Sequence, residues 1–200
     1  MKPRIAILIL AAGQGRRMGG PNKLLAEIDG RSLVRRAAEA ALASAAASVT
    51  VVTGHRREAI ELALAGLPVQ LVHNEDHADG LATSLRAGIA HLGEGCDAVL
   101  VMLADMPAIS AAILDRLMAA FAPEEGRLIV VPTHEGARGN PVILSRSFFP
   151  EIAALTGDKG ARGLIAAHDD VVVEVEIGPE VMLDLDTPEG LAALGGRIVG

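Results

Sequence analysis

Short apolar runs alternate along this chain with longer alanine-rich stretches whose polar residues recur at helical spacing. Residues 5–10 and 49–53 are brief, rich in β-branched side chains and almost free of charge, the pattern of strands buried on both faces. Residues 69–73, 98–103 and 128–131 continue the series. Between them, Ser32 stands as an N-cap before a helix over 33–46, and Ser110 before one over 111–121. Residues 56–65 and 81–92 supply two more helices, closed by Gly66 and Gly93. This βα rhythm predicts an α/β fold, a mainly parallel sheet with helices on both faces in three layers.

Beyond residue 131 the rhythm loosens. Residues 141–144 form a short strand, and 146–154 and 161–168 are helical. Residues 171–177 alternate Val with Glu, as a half-exposed strand does. Thr187 and Pro188 open a closing helix over 187–194, with proline in the first turn. Two hundred residues without an internal repeat or linker fit one domain spanning 1–200.

Charge refines this picture. The net charge is −7, but residues 1–60 hold ten Lys/Arg against four Asp/Glu. A local basic patch on an acidic protein suits a small polyanion better than a polymer. With three Phe and no Trp or Tyr, the chain lacks the stacking rings of single-strand binders, so no nucleic-acid partner is expected. The lone Cys96 permits no internal disulfide, which suits a reducing cytoplasm. The start, with two basic residues and an apolar run, has some features of a signal peptide. Residues 5–12 are too short a core for one and read better as a buried strand. No stretch approaches the ~18 apolar residues of a membrane span.

The first strand runs directly into Ala11, Ala12, Gly13, Gln14, Gly15, Arg16, Arg17, Met18, Gly19, Gly20, Pro21, Asn22 and Lys23. Ligands of open α/β sheets bind beyond the carboxyl ends of the strands. Glycines there let backbone N–H groups approach phosphates, and Arg16, Arg17 and Lys23 would neutralise them. The same loop is also compatible with a dinucleotide fingerprint, in which Arg56 and Arg57 after the second strand would hold a 2′-phosphate. Pro21 and the turn at Asp29-Gly30 separate it from the next helix, unlike such fingerprints. A P-loop is excluded, because Gly-Lys-Ser/Thr is absent.

Asp105 stands just past an apolar strand, where an acid faces the ligand crevice. Asp184 and Asp186 alternate on one side of an extended segment. Mg²⁺ takes one or two carboxylates and fills its shell with phosphates and water, so Asp105 with Asp184 or Asp186 suits it.

These segments carry a family resemblance. Leu10-Ala11-Ala12-Gly13, Arg17-Met18-Gly19 and Lys23-Leu24-Leu25 resemble the signature of small nucleotidyltransferases with a Rossmann-like, glycosyltransferase-A fold. Within them the chain resembles the molybdenum cofactor cytidylyltransferases, MocA-like enzymes of the MobA-like family. Asp79-Gly80-Leu81, Ser84-Leu85-Arg86, Leu103-Ala104-Asp105-Met106-Pro107, Arg138-Gly139-Asn140-Pro141, Gly157-Asp158, Gly160-Ala161-Arg162 and Asp184-Leu185-Asp186-Thr187 come in family order.

The resemblance implies transfer of CMP from CTP to the phosphate of molybdenum-bound molybdopterin, with Mg²⁺ (Mn²⁺ in its place) and release of pyrophosphate. It implies that the first loop and Lys23, with Arg17, grip the triphosphate. Ala12, Gly80 and Ser84 would border the base, and Asp105 would be the main metal ligand. Arg138, Gly139, Asn140, Pro141, Gly160 and Arg162 would meet the pterin. Ala12 stands where guanylyltransferases usually carry glycine, which favours a pyrimidine. Gln14-Gly15 departs from the small hydroxyl residue of many relatives. Implied partners are CTP, the molybdenum cofactor, and a molybdoenzyme or its maturation chaperone.

Other readings remain: a GTP-using transferase, an NADP-dependent oxidoreductase, or a non-enzymatic nucleotide or cofactor binder. Asn74 either faces the nucleotide or is a turn residue. The six histidines complete no metal-ligand pattern, and His77 lies beside the base-binding segment.

Overall fold

In the computed structural model, which describes residues 2–13, 22–158 and 160–198, the alternation becomes one mixed sheet sandwiched between helices. In chain order the first half comprises β1 (Ile5–Ala11), β2 (Glu27–Ile28), β3 (Arg31–Ser32), α1 (Leu33–Leu42), β4 (Ser48–Thr53), α2 (Arg57–Ala63), β5 (Gln70–His73) and α3 (Leu81–Leu92). The second half comprises β6 (Ala98–Leu103), α4 (Ala111–Ala120), β7 (Ile129–His134), β8 (Ala137–Arg138), β9 (Val142–Ser145), α5 (Phe149–Ala153), α6 (Arg162–Ala167), β10 (Val172–Glu176) and α7 (Pro188–Ala193).

Among the described residues the strands lie in the order β10-β7-β9-β6-β1-β4-β5, with β8 on β7. β1 is central and parallel to both neighbours, pairing Ile7 with Val49 on one side and Leu100 on the other. β9 alone on the main path runs antiparallel, between β6 and β7. The strand period of two splits β1 between the faces. Ile5, Ile7 and Ile9 pack beneath α1, α2 and α4 with Val34, Ile60 and Leu114. Leu8 and Leu10 pack on the opposite side with Leu85, Ile152 and Ile165 of α3, α5 and α6.

The structure departs from the sequence pattern at several places: the helix expected over 33–46 ends at Leu42, and the strand expected over 128–131 runs on to His134 and pairs with β8. The Asp29-Gly30 turn closes a β2–β3 hairpin, paired Glu27 with Ser32, rather than simply preceding a helix. The region expected as one helix over 146–154 is a 3₁₀ turn, Arg146–Phe148, leading into the short α5. Pro150 in the first turn of α5 supplies no N–H and so makes it a fresh helix start.

After β10 the chain crosses back over the carboxyl ends of β7 and β6 and the amino end of the antiparallel β9. Ile177 N–H donates to Thr133, the Val181 carbonyl accepts from Asn140, and Leu185 N–H donates to the Asp105 carbonyl. A third small core then gathers Ala26, Ile28, Leu33, Leu185 and Leu191, tying this returning strap to the hairpin. Arg197 and Glu27 lock the same junction through reciprocal backbone bonds and a 2.8 Å ion pair.

Candidate functional site

Three chain segments meet where β1 and β6 end. Lys23 lies in a single 3₁₀ turn, Lys23–Leu25, fixed by Asn22, whose side-chain oxygen accepts from Leu24 N–H at 3.0 Å. Asp105 lies just past the last residues of β6. Asp186 arrives on the strap, held by the buried Leu185 before it and by Thr187, which caps α7 through Gly190 N–H. The Lys23 ammonium bridges the two acids, 2.5 Å from Asp105 Oδ2 and 2.7 Å from Asp186 Oδ1. Burial pulls the lysine's pKa down, but the charge and hydrogen bond of Asp105, then those of Asp186, outweigh it and hold it above 10.5. The other Asp105 oxygen, Oδ1, is buried without a hydrogen-bond partner among the described residues.

Two hard carboxylate oxygens already arranged around one cation, with a third buried and unmatched beside them, fit a divalent metal. Sequence alternation leaves Asp184 and Asp186 equivalent; the structure separates them. Asp186 joins the cluster, whereas Asp184 is exposed and makes none of its ion pairs. No set of three His, Cys, Asp or Glu residues is arranged to hold a metal among the described residues.

On the β4–β5 side the end of β1 is closely packed. Ala12 is 3% exposed, and its carbonyl accepts from His55 N–H. Its methyl packs in the α3-side core rather than lining open space. Any effect on the base therefore passes through its neighbours. Gly54 is one: a Cβ there would lie 2.7 Å from the Ala12 Cβ and 2.6 Å from the His77 Cβ. Only glycine permits that close approach.

Asn74 is buried, and its amide nitrogen donates to Thr83 Oγ1 and Ser84 Oγ at 2.8 and 3.0 Å. Its side-chain oxygen accepts from Asp76 N–H. Asn74 and Ser84 thus brace the start of α3. Gly80, at φ 108°, sits so tightly against Gly157 and Asp158 that no side chain fits.

On the other side, an apolar cavity of about 410 Å³ opens between α3, α6 and the ends of β6, β7 and β9. Leu81, Leu85, Val101, Leu103, Val131 and Val142 form its floor, and Arg138, Gly139, Asn140, Asp158, Gly160 and Arg162 line it as well. Arg138 is tied to Asp169 and Glu174 at 2.6 and 2.7 Å, so its charge is largely answered. Arg162 is exposed and has no ion pair among the described residues. Gly139 is held under Val181 of the strap.

The structure therefore brings together Lys23, Asp105 and Asp186. It gathers Arg138, Gly139, Asn140, Gly160 and Arg162 around one cavity, with Pro141 next to it in the chain. Ala11 and Ala12 are buried at the end of β1 with Gly13 directly after them, Asn74 and Ser84 are bonded to each other, and Gly80 packs against Gly157 and Asp158 at the start of α3. Gly15, Arg16, Arg17, Met18 and Gly19 lie outside the described residues. His55, bonded to the Ala12 carbonyl, and Thr83, bonded to Asn74, join these groups without any sequence motif to single them out. Their only signal is position, His55 two residues past β4 and Thr83 in the first turn of α3.

A mainly parallel sheet with this strand order and helices on both faces is a nucleotidyltransferase fold. Residues 7–171 match the MobA-like NTP transferase domain, and the chain belongs to that family. It is 32% identical to purine catabolism protein PucB of Bacillus subtilis, over 94% of each chain. It is 30% identical to nicotine blue oxidoreductase of Paenarthrobacter nicotinovorans, over 96% of this chain and 97% of the other. Identity to the molybdenum cofactor cytidylyltransferase of Escherichia coli is 27% over 92% of each. Among solved structures, the manganese complex of Rv0371c from Mycobacterium tuberculosis superposes with a TM-score of 0.81 at 26% identity, covering 96% of this chain and 97% of that one. No helix among the described residues is long and apolar enough to cross a membrane.

Proposed function

We propose that this protein is a cytoplasmic transferase that moves CMP from CTP to the terminal phosphate of molybdenum-bound molybdopterin, releasing pyrophosphate. The observation that carries the reading is the Lys23–Asp105–Asp186 cluster at the sheet edge, with the apolar cavity at the ends of the same strands. A pair of acids fit for a metal beside an apolar cavity suits a metal-bound triphosphate and a second substrate side by side.

Asp105 and Asp186 would hold Mg²⁺ or Mn²⁺. Once bound, the metal supplies charge neutralisation for the phosphate oxygens. Lys23, on a flexible four-carbon stem, would turn from the carboxylates to the triphosphate. Arg162 would meet an anionic group of the acceptor, and the apolar floor would cover its ring system. An acceptor phosphate oxygen attacks the α-phosphorus, the bond to the β-phosphate breaks, and pyrophosphate leaves. The nucleophile is already an oxyanion, so positioning and electrostatics carry the rate and no strong general base is needed. The nucleotide product would pass to a molybdoenzyme or its chaperone.

The test is pyrophosphate release across the four NTPs with Mg²⁺ and molybdenum cofactor, alongside NADPH oxidation for the oxidoreductase reading. Release specific to CTP is expected, and Asp105→Ala abolishes it. Near-normal release from Asp105→Ala, or NADPH turnover in place of release, overturns the assignment.

A further inference from the structure

Beside Ala12 and Gly54 stands a half-buried imidazole whose hydrogen-bonding polarity is set by the fold. His77 Nδ1 lies 3.1 Å from the Asn74 carbonyl oxygen. A carbonyl only accepts, so Nδ1 carries the proton, and in the neutral ring Nε2 is left as an acceptor. The carbonyl is not free to swing away. Asn74 is 4% exposed, its amide is bonded to Thr83 and Ser84, and its backbone N–H donates to Thr53 at 2.8 Å. The base of the His77 side chain is packed against Gly54, where a Cβ would come within 2.8 Å of Cγ. The His55 ring stands 6.3 Å away, centroid to centroid, tilted by 41°. His55 is itself tied by its N–H to the Ala12 carbonyl.

We infer that His77 is the base-reading side chain of this enzyme, accepting a hydrogen bond at Nε2 from the exocyclic amine of a cytosine. The inference rests on the nucleotidyltransferase reading above and adds the group that chooses the base. Cytosine presents an amine donor at position 4, where uracil presents a carbonyl. An Nε2 lone pair pairs with the first and is left unmatched, facing another lone pair, by the second. A site built to bond a substrate N–H rejects the analogue lacking it far better than an apolar pocket rejects a size change. The paucity of Phe, Tyr and Trp is then no handicap, because a fixed imidazole supplies polarity that a phenyl ring lacks. Ala12 acts by setting where Gly54 and His77 sit, not by touching the base.

The experiment is nucleotide binding by calorimetry with Mn²⁺ present, using CTP, UTP and a CTP analogue lacking the 4-amino group. Wild type, His77→Phe and His77→Gln are compared. Wild type is expected to bind CTP about tenfold or more tighter than UTP and the analogue with hydrogen in place of the 4-amino group. His77→Phe keeps a ring but no acceptor, and its three affinities should fall within about twofold of one another. His77→Gln offers an amide oxygen and should recover part of the preference. Because the readout is a ratio between ligands on one protein, a general loss of folding does not mimic it. Equal binding of CTP and UTP by wild type overturns the inference, as does an unchanged preference in His77→Phe. A CTP preference that depends on His77 without pyrophosphate release onto molybdenum cofactor upholds the inference and overturns the proposed acceptor instead.

Discussion

Replacing Lys23 by methionine keeps the length and packing of its stem and deletes only the ammonium. In the wild type that ammonium sits 2.5 and 2.7 Å from two carboxylate oxygens, so the oxygens are held no more than about 5 Å apart. Two unit charges at that separation, with an effective dielectric near 20, repel by about 3 kcal/mol. Removing one member of a buried ion pair costs roughly 3–5 kcal/mol. The side chains here are 14% exposed at Asp105, 16% at Lys23 and 32% at Asp186, which moderates the loss to about 2–3 kcal/mol.

In a chain of this size each kcal/mol lowers Tm by roughly 2–4 °C, so Lys23→Met should melt roughly 5–10 °C below wild type in EDTA. The variant should also regain most of the loss when Mn²⁺ or Mg²⁺ is added. At a hundredfold over Kd, a metal stabilises by about 2.7 kcal/mol, the size of the deficit. Wild type should gain less, because its own lysine competes for the same oxygens. The assay is thermal unfolding of both proteins across a metal titration. A variant that melts with wild type in EDTA, or that gains no more from metal than wild type does, would refute the reasoning.

The same bridge has a pH signature: its lysine is held above 10.5 in the folded protein, so its stabilisation is full below pH 10.5 and fades as pH rises through the folded value. The stability gap between wild type and Lys23→Met in EDTA should therefore be flat from neutrality to about pH 10 and close above it, measured by denaturant titration; a gap that narrows on the acidic side of neutrality instead would contradict the assignment. Gly139→Ala should cost about 1–3 kcal/mol, because its Cβ runs into the Val181 carbonyl. Displacing the strap at that point should also raise KM for the acceptor while leaving CTP affinity near wild type. A melting temperature and acceptor KM both unchanged would show that the strap yields freely there.

The central sheet is legible in sequence because its strands are short, apolar and β-branched, a pattern that buried parallel strands require. The direction of β9 is not, since Val142–Ser145 has the same apolar character whichever way it runs. The two-residue strands of the β2–β3 hairpin are too short to show any period, although the Asp29-Gly30 turn announces their reversal. Asp105 is legible from its place at a strand end. The choice of Asp186 over Asp184 is not, because it depends on Leu185 being buried in a small core whose other members lie far away in the chain. Lys23 stands out in the sequence as a cation in a glycine-rich loop, but its grip on both carboxylates appears only when three distant segments meet. His77 is conspicuous only by nearness to Gly80; its proton arrangement comes from Asn74, whose commitments no spacing rule reveals.

The returning strap also governs how the site comes into being. Synthesis delivers residues from the amino end, and every strand of the main sheet is present once Glu176 has emerged. At that stage Lys23 and Asp105 can already pair, one cation with one acid. The second acid emerges ten residues later, on a segment that must dock on the hairpin through Leu185 and Leu191 before it can face the first. The lysine would then serve as a placeholder during assembly, pairing with Asp105 until Asp186 arrives and leaves the three side chains with a net negative charge. Completion of the three-residue cluster would then be a late event in the maturation of the chain, decided by the docking of about twenty residues and not by formation of the sheet beneath them.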